Sequence, residues 1–268
     1  DAVQSLMSRF RPSIRSIQSW DSSSRYRCPV IIDNLMNLEL LEWGDPQDTM
    51  AIQHANTAMR NHFRKDYSTW HVVDYDLPTG KPSRKITRQG AADASTWSRG
   101  EAWALYAYTM LYRYTRDQAY LSQAEHIAGF ILDHPRLPAD GIPYWDFDAP
   151  DIPHAYRDAS AAAVMASAFL ELGLYTSTTN SRRYVAAAEK MLRSLSSPAY
   201  RAAPGANGGF LLMHSVGALP FRSEVDQPLT YADYYFLEAL LRYRNWWLDS
   251  TRTRPTGPAY RSTSSSPQ

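Results

Sequence analysis

The chain has 268 residues, enough to bury a large core as one big domain or two small ones. Its 28 basic and 27 acidic side chains leave a formal charge of +1, which excludes the basic stripe of a nucleic-acid binder. With 44% hydrophobic and 21% charged residues, disorder over most of the length is excluded too.

Leu35, Met36, Leu38 and Leu41 recur at helical spacing and predict a helix over 32–43, entered through the apolar run Pro29 to Ile32 and Asp33. After the Gly44-Asp45-Pro46 break a second helix is predicted over about 47–63. Residues 70–75 alternate as a strand does and run to the turn at Pro78-Thr79-Gly80. Helices follow over 97–114, 118–132, 158–175 and 181–196, with an aromatic and acidic segment over 141–148, and a last helix over 230–247. The leading helices start near positions 33, 97, 158 and 230, a repeat of about 60–70 residues that marks a stacked or toroidal array of helical hairpins. The expected organisation is an all-α toroid over residues 1–250 and a solvated, disordered Pro/Ser/Thr-rich tail over 251–268.

No apolar run approaches the about 18–20 residues of a membrane span, and residues 1–11 carry no signal pattern. The chain starts at Asp1 rather than Met, so its compartment stays open. The lone Cys28 excludes an internal disulfide and a cysteine-rich metal cluster. The 18 Tyr and 8 Trp outnumber the 8 Phe, an excess of flat rings with polar edges that suits a wet cleft stacking against other rings, a carbohydrate among them.

A toroid gathers the starts of its inner helices at one end. Here those starts contain Asp33, Ser95-Thr96-Trp97-Ser98-Arg99, Tyr156-Arg157-Asp158 and Tyr231-Ala232-Asp233-Tyr234-Tyr235. Converging helix N-termini, each with unpaired N–H groups and partial positive charge, suit an anionic sugar. Asp33 has two readings: a helix N-cap, or a general acid/base raised in pKa by apolar neighbours and a second carboxylate. Trp97 and Arg99 share a first turn, with Trp103 nearly two turns on. Such spacing is ordinary for a core, yet a ring beside a guanidinium fits a uronic acid, whose face stacks and whose carboxylate takes a bidentate fork.

His71 is a lone histidine, structural or catalytic. Asp158 and Asp233 read as N-caps. Lys81, Arg84, Lys85 and Arg88 form a basic run, either a solvated loop or a contact for sulfated sugars. No H-E-x-x-H, Cys/His cluster, phosphate-binding glycine loop or Gly-x-Ser-x-Gly elbow is present, so neither a metal nor a nucleotide cofactor is indicated.

Several segments resemble the unsaturated glucuronyl hydrolases, glycoside hydrolase family 88: Arg15 to Asp21, Pro29 to Asn37, Gln89-Gly90, Ser95 to Trp103, Tyr144 to Phe147, Tyr156 to Ser160 and Asp233 to Glu238. The similarity extends over about residues 1–245. It implies an (α/α)6 barrel that removes 4,5-unsaturated uronic acid from the non-reducing end of lyase-generated oligosaccharides by hydrating the vinyl ether. Asp33 matches the family's acid/base aspartate. His71, Gln89, Trp97, Arg99 and Trp103 match substrate positions, and Trp20 and Tyr234 match more loosely. Arg99 is then expected to face the uronate carboxylate, with Trp97 and Trp103 as walls. No paired-carboxylate mechanism is required, since the alkene is already activated.

The resemblance also implies a second active-site aspartate beside a histidine, in an N-terminal region of about a hundred residues that nothing here matches. About three and a half hairpins are legible where six are implied. The expectation is therefore an incomplete barrel, from a truncated or split chain, whose exposed apolar edge favours self-association. Alternative readings are a catalytically impaired or carbohydrate-binding relative that keeps Trp97 and Arg99, a related unsaturated rhamnogalacturonyl hydrolase, and a structural helical array. The partner expected is an unsaturated uronyl oligosaccharide, not a nucleic acid or a membrane.

Overall fold

The computed structural model describes residues 1–45 and 49–248. The tail expected over 251–268 and the start of the helix predicted from 47 lie outside them. In chain order, helix α1 (Ala2–Met7) leads to the short paired strands β1 (Phe10–Arg11) and β2 (Ser16–Ile17). Then come β3 (Pro29–Ile31), a 3₁₀ turn (Ile32–Asn37), α2 (Leu38–Gly44) and α3 (Met50–Asn61). Strands β4 (Val72–Asp76) and β5 (Lys81–Ile86) complete an antiparallel sheet in the order β3-β4-β5. Two helical hairpins follow, α4 (Ser98–Thr115) with α5 (Gln118–Asp133), and α6 (Ala159–Leu172) with α7 (Thr178–Leu195). The hairpin β6 (Ser215–Ala218) and β7 (Ser223–Gln227) precedes α8 (Thr230–Tyr243), which runs into a π turn (Arg244–Leu248).

The layering follows from side-chain pattern. Every residue of α6 is buried, and its Ala and Ser side chains let α4 and α8 pack close on either side. A helix apolar all round belongs in the middle of an assembly. By contrast α7 buries one stripe, Tyr184, Ala188, Met191, Leu192 and Leu195, and lies outside against α6. Local signals end the helices where expected: Asp117 caps α5 through the Ala119 N–H, Ser177 caps α7 through the Asn180 N–H, and α4 stops at Arg116 in the left-handed region.

The result is a helix-rich toroidal array that does not close into a barrel. One rim of α8 stays uncovered: Tyr234, Leu237 and Leu241 fall at helical spacing and are about half exposed. These are the bare apolar faces expected of an incomplete ring.

Four local readings are corrected. The predicted helix over 32–43 divides into the 3₁₀ turn and α2, because the turn is tethered from outside. The Ile32 N–H bonds the His71 carbonyl, and Asn34 Nδ2 donates to the Ile17 carbonyl at 2.8 Å. Asp33 is not an N-cap: that position belongs to Ile31, and no side chain caps the turn. Asp233 does not cap α8 either; it lies in the first turn and accepts the Leu211 and Leu212 N–H groups at 2.7 and 2.9 Å, pinning the preceding loop. Asp158 does cap α6, accepting from the Ser160 and Ala161 N–H groups. Lys81, Arg84 and Lys85 lie on β5 rather than in a loop.

Candidate active site

The tethered 3₁₀ turn brings Asp33 toward His71, just before β4. The Asp33 side chain is 26% exposed while its Oδ2 is buried, and Oδ2 lies 3.7 Å from His71 Nε2. That gap is too long for a hydrogen bond, and neither atom makes another. His71 Nδ1 accepts the backbone N–H groups of Arg88 at 3.1 Å and Gln89 at 3.2 Å. A ring nitrogen that accepts N–H bonds carries no proton, so the neutral imidazole holds its one proton on Nε2, facing Asp33.

Electrostatics agree with that geometry. Burial, then the Arg99 charge, pushes the His71 pKa down to about 3. Burial pushes the Asp33 carboxyl up to about 6, against the pull of Arg99, its own backbone N–H and the Trp103 indole. The pair is thus a neutral donor facing a carboxyl that changes charge near neutral pH.

Trp97 and Trp103 are both buried. The Trp97 ring packs 4.7 Å from His71 and lies 4.5 Å from the Arg99 guanidinium carbon. Trp103, one helical face along α4, meets Tyr231 at 5.8 Å and Tyr235 at 5.6 Å. Those two tyrosines sit four residues apart on α8, a spacing legible in sequence as one helical face. Tyr234, the residue singled out there, is 59% exposed and touches Tyr235 instead. Gly100 permits this assembly: a Cβ there would come 3.1 Å from Trp97 and 3.3 Å from Ile32, so α4 can press against the turn that bears Asp33.

Arg99 is 2% exposed, and its fork is occupied by protein oxygens. Nη1 pairs with Asp158 at 2.8 Å and also meets the Val216 carbonyl; Nη2 donates to the Gly217 carbonyl at 2.6 Å. These contacts engage part of the five-donor fork within the fold, as a buried guanidinium requires; the expected uronate carboxylate concerns the donors that remain. Gln89 Nε2 donates to the same Gly217 carbonyl at 2.9 Å, so Arg99 and Gln89 together clamp the β6–β7 hairpin over the site. Trp20 is edge-on to Tyr26 at 5.2 Å and 5.3 Å from the Arg88 guanidinium.

Sequence reasoning did not assign the groups that hold this site. Asp146 Oδ2 accepts from the Ala91 N–H at 2.9 Å and the Ser95 hydroxyl at 2.7 Å, and Asp148 accepts the Thr96 N–H at 3.0 Å. The aromatic and acidic segment thereby shapes the loop entering α4. Glu101 is wholly buried beneath it, with Oε1 accepting the Thr69 N–H at 2.5 Å and Oε2 unpartnered; burial lifts its carboxyl to about 8. Among the described residues no three His, Cys, Asp or Glu side chains gather to hold a metal ion. No described helix is long and apolar enough to cross a membrane.

No family model matches the chain. Among curated proteins it is 46% identical over 252 residues to an unsaturated glucuronyl hydrolase of Formosa agariphila, covering 91% of this chain and 62% of that protein. Among solved structures it superposes on an unsaturated glucuronyl hydrolase specific for heparin with a TM-score of 0.89 and 49% identity, covering 94% of this chain and 68% of the other. It also matches the Bacillus sp. GL1 unsaturated glucuronyl hydrolase responsible for degradation of glycosaminoglycan, with a TM-score of 0.81, 32% identity and coverage of 90% and 66%. The chain spans less than two thirds of the length of the curated relatives it matches. With nearly half its residues identical to an enzyme of which it covers more than two thirds, the chain belongs to the unsaturated glucuronyl hydrolase family.

Proposed function

We propose that the chain carries the reacting half of a glycosidase site for 4,5-unsaturated uronyl residues at the non-reducing end of glycosaminoglycan fragments, with Asp33 as general acid and base. The observation that carries this reading is one carboxyl, lifted to about 6 by burial, facing a fixed imidazole N–H. Such a group is partly protonated at neutral pH, so it can give a proton and take one back in the same turnover.

In the step envisaged, Asp33 donates its proton to C4 of the vinyl ether while a water oxygen bonds C5. The carboxylate then takes the proton that water releases. The hemiketal formed at C5 opens by breaking its bond to the ring oxygen, and the aglycone leaves as the open product collapses. His71 Nε2–H holds the carboxylate, or the water between them, at the place where charge develops. Trp97 and Trp103 supply ring walls of the kind sugars stack on. Arg99 acts through position: it anchors the β6–β7 hairpin and biases the field at Asp33. The glycosaminoglycan class is inferred from the relatives, one specific for heparin and others acting on chondroitin disaccharides.

The test is incubation of the chain with an unsaturated uronyl disaccharide while the ultraviolet absorbance of its alkene is followed. Loss of absorbance that Asp33→Asn slows by about 10²-fold or more supports the proposal. Binding that persists without turnover, unaffected by Asp33→Asn, would favour a carbohydrate-binding role in its place.

A further inference from the structure

Beside the Asp33 site lies a second concavity of about 330 Å³, lined by Ser24, Arg25, Tyr26, Arg27, Asp74, Ser83 and Arg84. Its size falls within the range of about 300–1,000 Å³ usual for ligand sites. Its charge is the unusual part. Asp74 is buried at the base and already saturated: it accepts the Arg27 and Cys28 N–H groups and pairs with Arg84 Nε at 3.2 Å. Arg27 reaches Asp76 at 3.5 Å. Arg25 has no carboxylate or hydrogen-bond partner for its guanidinium among the described residues, and neither has Arg88 on the adjoining strand exit.

Arg84, fixed by Asp74, also donates to the Arg25 carbonyl, and the cations share an aromatic surface. The guanidinium carbons of Arg25, Arg84 and Arg88 lie 5.5, 5.2 and 5.7 Å from the Tyr26 ring. Arg88 is also 5.3 Å from Trp20 and 4.8 Å from Phe221 at the tip of the β6–β7 hairpin. Like charges so gathered repel unless an anion joins them, and stacking of this kind is worth only about 0.5–1 kcal/mol per exposed contact. Asp74 and Asp76 account for Arg84 and Arg27, whereas the Arg25 and Arg88 guanidinium groups, left without a carboxylate, fit a receptor for further negative charge. The Arg88 backbone N–H meanwhile bonds His71, so the basic concavity and the Asp33 site share one segment of chain.

We propose that Arg25, Arg27 and Arg84 form an anion subsite that receives a sulfate or carboxylate group on a sugar beyond the one joined to the uronyl residue. The identity of the ligand as a glycan rests on the reading of the Asp33 site given above; the recognition of negative charge does not. Ser24 and Ser83 supply hydroxyl groups at the rim, and Arg88 with Trp20 and Phe221 forms the bridge toward Asp33.

The experiment is calorimetric titration of the full chain with three saturated tetrasaccharides that lack the alkene: one sulfated, one bearing only carboxylates, one neutral. The two anionic probes are expected to bind at least tenfold more tightly than the neutral one, and their affinity is expected to fall as salt is raised. Tighter binding of the sulfated probe assigns the site to sulfate, and equal binding of both assigns it to any anionic substituent. Arg25→Ala with Arg27→Ala, both exposed and leaving Asp74 its backbone N–H bonds and its pair with Arg84, is expected to weaken anionic binding at least fivefold, with an unchanged melting curve showing the fold intact. Equal binding of the neutral probe, or anionic affinity unmoved by the double substitution, overturns the proposal. Absence of disaccharide turnover in the unsubstituted chain would count against the activity proposed for Asp33 and leave this binding result standing.

Discussion

His71 accepts two backbone N–H groups at Nδ1, and that contact decides what the ring can do. It cannot serve as a base toward Asp33, because its free electron pair is already engaged. Nitrogen NMR of the labelled side chain is expected to show the Nε2–H form unchanged between pH 4 and 8; a ring that titrates near 6.5 would refute the assignment. Asp33 behaves oppositely. With its carboxyl raised to about 6, the protonated form that a general acid requires is lost as pH rises through that value. Turnover of an unsaturated disaccharide is therefore expected to decline above pH 6, and a rate that climbs through the same range would be incompatible with Asp33 as the donor. Asp33 was legible in the sequence as a candidate. Its distinction from an N-cap was not, since that depends on Ile17 and His71, which tether the turn from distant parts of the chain.

At the scale of elements, the first turns of α4 carry the cost of the site. Glu101 sits in α4 with one oxygen unpartnered. Its folded-state carboxyl titrates near 8 against 4.5 for the free side chain, so between these values the unfolded chain is the ionised form. Stability accordingly falls as pH rises through that window, by up to about 1.4 kcal/mol per pH unit, and levels off above 8. Glu101→Gln keeps an acceptor for the Thr69 N–H and removes the charge. Buried His54, His62 and His71, held neutral with lowered pKa values, raise the stability of both proteins up to about pH 6.5, so the denaturation midpoint of the variant is expected to climb relative to the parent from pH 6 to 8; Asp33 contributes the sign of Glu101 only below 6. Parallel curves for the two proteins would show that Glu101 does not ionise there. The helices α4 to α8 themselves were readable from apolar period, with ends within a few residues. The strand pairing of β5 was not, because its exposed, basic sequence has no apolar face to announce it.

Across the whole molecule, one chain of ion pairs crosses four helices. Glu39 of α2 meets Arg113 of α4 at 2.8 Å, Arg113 meets Glu171 of α6 at 2.8 Å, and Glu171 meets Arg242 of α8 at 3.0 Å. Arg242 continues to Glu238 at 3.3 Å. Glu171 is the buried centre, and Glu171→Ala would leave Arg113 and Arg242 without their shared partner. A loss of about 3–5 kcal/mol in unfolding free energy is expected by chemical denaturation, and a loss below about 1 kcal/mol would show that the network is not what couples the layers. Arg242 and Glu238 lie in a segment whose sequence reads only as one more amphipathic helix. That Arg242 shares Glu171 with Arg113 follows from the toroidal order of the layers.

The sequence by itself determined the hairpin repeat, the helix-rich character, the family likeness and several of the residues that gather near Asp33, because apolar period and short motifs are local properties. Only the tertiary structure decided their contacts. Arg99 pairs with Asp158 and holds the β6–β7 hairpin, and Tyr231 and Tyr235 rather than Tyr234 met Trp103 because α8 packs on α6 with that face inward. Likewise the gathering of Arg25, Arg84 and Arg88 around Tyr26 joins residues about sixty positions apart in the sequence. Contacts across such distances are chosen by packing and by the need to pair buried charge, neither of which is written in any one stretch of the chain.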